Sequence, residues 1–193
     1  RHVAEHVRAV ADACGLGIVL QDHPTTTGVR ISAAALVEAI ETAGVVVAVK
    51  AEAPPTSATV LRVARQTGLP VFGGLGGVGL LDELAAGAAG AMTGFAFPEA
   101  LVNVVEAYAS RGFAAAKTEL EPFLPLMVCE AQVPVSLALR KELLRRRGLL
   151  TDGFVRPPAA ALPDWAGLIL DHHLLALEHF GVASLPDASE VRT

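Results

Sequence analysis

The sequence predicts a parallel α/β fold with a helical region after it, and three observations carry that prediction. Between residues 2 and 111, short apolar strands alternate with amphipathic helices. Each strand runs into a polar or glycine-rich loop instead of a tight hairpin turn, so successive strands need right-handed helical crossovers and lie parallel. From Gly112 onward the apolar positions keep helical spacing only. The chain therefore divides into residues 1–111, which alternate strands and helices, and residues 112–193, which are helical.

Residues 2 to 13 place Val3, Val7, Val10 and Ala11 at helical spacing, and Gly15 and Gly17 break that helix. Ile18-Val19-Leu20 reads as a buried strand that ends in the polar loop QDHPTTTGVR. Ser32 can cap a helix over 33–43, because its hydroxyl can accept an unpaired N–H of the first turn. Gly44 stops that helix, and VVVAVK (45–50) is the second strand. Pro54 and Pro55 open the next helix, with Leu61, Val63 and Ala64 toward the core, and Gly68 closes it. A third strand, Pro70 to Phe72, enters GGLGGVG, and a short helix runs on to Gly87. The fourth strand is Ala91 to Phe95, and Pro98-Glu99 starts a helix to Ser110. Beyond it, helices are predicted over 113–121, 134–147 and 163–179, and SLPDASEVRT (184–193) as a frayed tail.

Composition narrows the function. Of the 193 residues 52% are hydrophobic and 18% charged, which is the balance of a packed chain and not of a disordered one. Net charge is -5 with a pI near 5.7, giving no general attraction to nucleic acid or to an anionic membrane. No apolar run approaches the roughly 18 residues of a membrane span. The first segment is amphipathic but holds Glu5 and Asp12, unlike a secretory leader. Cys14 and Cys129 have no metal-ligand spacing and read as two buried thiols in a reducing, cytoplasmic setting.

Lys50 is the most informative residue, because parallel α/β folds present catalytic groups at the C-terminal ends of strands. A low dielectric there favours a neutral amine, the form that condenses with a carbonyl to a Schiff base. A lysine snorkelling out of a strand end gives the same pattern. Gln21, Asp22 and His23 end the first strand in a loop that suits binding as well as ordinary turn chemistry. Gly74, Gly76 and Gly79 match the dinucleotide fingerprint, and Glu99 lies 20 residues further on. That fingerprint belongs to the first strand-to-helix turn of its fold, however, and here it follows the third strand. The other reading is close backbone approach to a ligand, or a tight turn. His172 and His179, seven apart in DHHLLALEH, lack the spacing of a zinc helix and suit a solvated or interfacial face. The basic run RKELLRRRG (140–148) fits a helix C-terminus.

In order along the chain, VLQDHPTTTGVRIS, VVVAVKAEAPPT, VFGGLGGVGLLDELAAGAAGAMTGFAFPE, LPLMVCEAQ and LRKELLRRRG resemble the dihydrodipicolinate synthase and N-acetylneuraminate lyase family of class I aldolases. The resemblance implies a (β/α)8 TIM barrel with extra C-terminal helices, assembled as a dimer or tetramer, with no metal or organic cofactor. It places the Schiff-base role on Lys50, toward pyruvate or another small 2-keto acid. It makes Gln21, Thr27, Glu52, Gly73, Gly74, Met92, Thr93 and Gly94 the substrate-binding candidates, with Glu52 either orienting Lys50 or moving protons.

The sequence departs from the family in three ways. Gln21 stands where many members carry a proton-relaying tyrosine, and Thr26 stands near the synthase's arginine for a second carboxylate. QD-x-P together with K-x-E (Lys50, Glu52) is more like the 2-keto-3-deoxy sugar acid dehydratase and aldolase branch. Only four of eight barrel strands are found, and the chain starts on Arg1, so it reads as the C-terminal half of a barrel. Such a half exposes sheet edges and is expected to self-associate or to pair with the rest of the barrel. The expected function is a Schiff-base lyase, a dehydratase or an aldolase. Its rivals are a non-catalytic partial barrel and a nicotinamide-dependent oxidoreductase.

Overall fold

The structure is a computed structural model and describes residues 2–181. The chain forms two compact units, Arg1–Thr93 and Gly94–Thr193. The first holds helices α1 (His2–Cys14), α2 (Pro24–Thr27), α3 (Ala33–Ala43), α4 (Thr56–Thr67) and α5 (Leu80–Ala85). Its strands are β1 (Ile18–Asp22), β2 (Val46–Ala51), β3 (Val71–Gly73) and β4 (Gly90–Ala91), with a 3-10 turn over Leu75–Gly77. The strands form one parallel sheet in the order β1-β2-β3-β4, the alternation that the sequence predicts.

Side chains alternate across a strand, so each strand gives one face to the helices. A register shift between β1 and β2 at Ile18/Val19 breaks the alternation, so that Val46 and Val49 both reach that face. Val46, Val49 and Val71 pack with Val7 of α1, Leu36 and Ile40 of α3, and Val60 and Val63 of α4. Gly44 and Gly68 end α3 and α4 in the left-handed region, at φ 66° and 67°, where a side chain would be strained. The opposite face carries Val19, Gln21, Lys50 and Phe72. Register sets Gln21 beside Lys50 and Lys50 beside Phe72, so three strands bring their C-terminal ends into one row.

The observed elements differ from the expected ones in several places. β1 runs on through Gln21 and Asp22, because Glu52 N donates to Asp22 O at 2.9 Å. β4 stops at Ala91 instead of Phe95: its partner β3 ends at Gly73, and Met92 N makes the last bond, to Gly73 O at 3.0 Å. Cys14 is exposed, not buried, because it ends α1 beyond the helix's core-facing residues Ala4, Val7 and Ala11.

The second unit contains α6 (Pro98–Arg111), α7 (Phe113–Leu120), α8 (Leu124–Glu130), α9 (Ser136–Arg146) and α10 (Ala166–His179). The sequence reading passes over α8, which is seven residues long and carries Pro125 in its first turn. Cys129, on α8, is buried as expected. Phe95, Phe97 and Phe123 form a ring cluster with centroids 5.7 to 6.1 Å apart, and the Arg147 guanidinium lies 4.3 Å from the Phe97 centroid. Glu130 is fully buried, accepts from Arg140 Nε at 2.5 Å and from Ala96 N at 2.9 Å, and so ties α8 to α9 and to the segment before α6. Burial pushes the Glu130 carboxyl up, against the pull of Arg140 and the Ala96 N–H. His172 and His179 lie exposed on α10. The predicted tail over 184–193 falls outside the described residues. Among those described, no helix is long and apolar enough to cross a membrane.

Candidate active site

The site is built on one carboxylate. Glu52 follows β2 directly, two residues beyond Lys50, and is 5% exposed. Its Oε2 accepts from the Gln21 side-chain amide at 2.5 Å and lies 3.4 Å from Lys50 Nζ. Its Oε1 accepts the backbone N–H of Leu75 at 3.0 Å. The end of β1, the end of β2 and the loop after β3 therefore meet on one side chain. Burial alone would raise the Glu52 carboxyl. The Leu75 N–H, the Gln21 amide, Lys50 and the His23 ring outweigh it and hold the carboxyl below its ordinary 4.5. Glu52 is thus a carboxylate at neutral pH, with an amine in contact.

The glycines between Gly73 and Gly79 are explained by what touches them. A Cβ on Gly74 would overlap the Glu52 carboxylate, and a Cβ on Gly73 would overlap the carboxyl of Glu83. A Cβ on Gly79 would stand 3.2 Å from Glu83 Oε1. Glu83 lies on α5, is 1% exposed, and accepts from Thr56 Oγ at 2.6 Å through Oε1. The loop thus wraps two carboxyl groups. A pyrophosphate site needs unobstructed N–H groups and a positive helix start, and the carboxyl side chains of Glu52 and Glu83 fill this turn ahead of a six-residue helix. That geometry counts against the nucleotide alternative.

Of the sequence-predicted residues, Lys50, Gln21, Glu52, Gly73 and Gly74 come together. Thr93 joins them indirectly, its Oγ accepting from Gly76 N at 2.8 Å. Met92 reaches Gly73 through its backbone N–H, while its side chain is exposed. Thr27 is turned to its own helix, donating to His23 O at 3.1 Å and accepting from Val29 N at 3.2 Å. Gly94 belongs to the second unit, where a Cβ would overlap the Arg140 guanidinium. The sequence reading misses Glu83 and Thr56; the signal was an acidic residue on the core-facing side of α5. It also misses the burial of Asp22, 4% exposed, whose carboxyl burial pushes up against the pull of His23.

A parallel sheet that gathers its polar side chains at the C-terminal ends of its strands is the arrangement of an α/β protein, barrel or doubly wound. The chain matches the dihydrodipicolinate synthetase family over residues 1–169, and it belongs to that family. It is 30% identical over 166 residues to L-2-keto-3-deoxyarabonate dehydratase of Azospirillum brasilense, covering 84% of this chain and 53% of that one. The dihydrodipicolinate synthase of Rhodopseudomonas palustris has a TM-score of 0.83 at 31% identity, over 91% of this chain and 61% of that one. A prophage protein of the dihydrodipicolinic acid synthase family from E. coli K12, solved in complex with pyruvate, shares the fold with a TM-score of 0.77 at 20% identity, over 93% of this chain and 61% of its own. The chain spans about half the length of the curated relative it matches. Its fold is accordingly that of part of a TIM barrel with a helical extension.

Proposed function

We propose that the protein works as a Schiff-base lyase on a small 2-keto acid, as a dehydratase of a 2-keto-3-deoxy sugar acid. The carrying observation is Lys50 Nζ at 3.4 Å from a buried carboxylate at the end of a parallel strand. Lys50 adds to the C2 carbonyl of the substrate and water leaves, forming an iminium that draws electrons from C3. Glu52, held ionised, takes the C3 proton and returns it to the β-hydroxyl as the enamine expels that group, so that water leaves. Hydrolysis of the remaining iminium frees Lys50 and the keto-acid product. Gln21 supports this order of events: its amide is neither an acid nor a base near neutral pH, so proton transfer falls to the carboxylate that it holds. The similarity to a sugar acid dehydratase supports the same reading. Cleavage of the C3–C4 bond, the aldolase outcome, would need a base for the C4 hydroxyl; Gln21 is not one, and Glu52 would have to act there instead of at C3.

Gly73, Gly74, Met92 and Thr93 would line the substrate side. In this reading the chain functions in a homo-oligomer, a dimer or tetramer, in the cytoplasm. Borohydride reduction in the presence of pyruvate tests the proposal. One reduced pyruvate adduct is expected on Lys50 and none in Lys50→Ala. An unmodified Lys50 in the full-length protein would sink it.

A further inference from the structure

Glu83 has no part in that chemistry, yet it is the more deeply buried of the two carboxyls that the glycine loop encloses. Its Oε1 takes the Thr56 hydroxyl, and its Oε2 is buried with no hydrogen-bond partner among the described residues. Gly73 and Gly79 leave their side-chain space to this group, while Gly74 leaves its space to Glu52. The same short loop therefore rests on Glu83 from one side and presents Leu75 N–H to Glu52 from the other. Resting on the reading of Lys50 and Glu52 as the reacting pair, we propose that Glu83 is their positioning residue, a neutral buried acid on which the Gly73–Gly79 loop is seated.

What faces the group favours its neutral form. α4 offers the single hydroxyl donor of Thr56, α5 adds the charge of Asp82, and the residue directly after β2, Glu52, adds its own. Burial raises the Glu83 carboxyl most, Thr56 opposes that, and Asp82 and Glu52 push it further up. A second anion here would have an unpaired oxygen beneath Gly73 and a like charge across the loop. A neutral acid keeps the loop closed, so that Leu75 can hold Glu52 beside Lys50.

The test compares wild type, Glu83→Gln and Glu83→Ala in the full-length protein. Expected is pyruvate trapping on Lys50 at near wild-type rate in Glu83→Gln, and a loss of about 10- to 100-fold in Glu83→Ala, the scale of a reacting group misplaced by an ångström. The acid limb of the pH profile, set by Glu52, should stay in place in Glu83→Gln. A shift of that limb to lower pH would mean that a negative charge had been removed, and would overturn the proposal. Glutamine as slow as alanine would overturn it too. If the alanine variant does not fold, the glutamine pH profile decides. Amide hydrogen exchange at Leu75 and Gly76 reads the loop without any chemistry: faster in Glu83→Ala, unchanged in Glu83→Gln. Absence of trapping in wild type would remove the lyase reading, while unchanged exchange in Glu83→Ala would remove the seat.

Discussion

Glu52 illustrates how much one side chain can settle. It is a stronger acid in the folded chain than in the unfolded one, so the stability it adds is complete above its ordinary 4.5 and is lost as pH falls through its folded value. Glu52→Gln should therefore be less stable than wild type at neutral pH, with the gap closing on acidification. Urea unfolding from neutral pH down to 3 measures it, and a gap independent of pH would count against the ion pair. Gly74→Ala places a methyl where the carboxylate lies, and is expected to cost about 1–3 kcal/mol, the range for overpacking. Its melting temperature should fall, and Lys50 trapping with it. Lys50 and Glu52 were legible in the sequence because a charge ends an apolar run. Glu83 was harder to see, since on a six-residue helix only its spacing from Leu80 and Leu84 marks it as core-facing and not solvated.

At the scale of elements, punctuation read well and length did not. Ser32 caps α3 as expected, its Oγ accepting from Ala35 N at 3.2 Å. Ser32→Ala should cost about 1 kcal/mol, read as a lower urea midpoint with unchanged slope. No loss would show that the cap contributes nothing. The boundaries at Gly44, Gly68 and Pro98 were visible because glycine and proline act through local backbone geometry. The short β4 was not, because the strand ends where its neighbour runs out of partners. Nor was α8, whose helical character comes from burying Leu126, Met127 and Cys129 instead of from propensity.

At the scale of the molecule, the first unit is a four-stranded sheet with β1 and β4 at its edges. Val19, on β1, is 47% exposed, and Val47, on β2, is 52% exposed. Unpaired strand edges beside exposed valines favour association. The chain is expected to sediment as a concentration-dependent mixture, and Val19→Lys should shift it toward the monomer. A chain that is monomeric at every concentration would contradict this. That four strands run in parallel could be read from the alternation of helix and strand. How the two compact units divide, at Thr93 and Gly94, could not, because tertiary contacts set it and not composition.

The loop after β3 has a consequence for pattern searches. Its glycines are the outline of Glu52 and Glu83, a hollow shaped by the chain's own acids, and the same spacing elsewhere outlines a diphosphate. A search for G-x-G-x-x-G would place this chain among nucleotide binders. One that also asks for an acid ten residues past the first glycine of the loop, and for a lysine followed two residues later by an acid at the preceding strand end, would separate the two kinds of hollow.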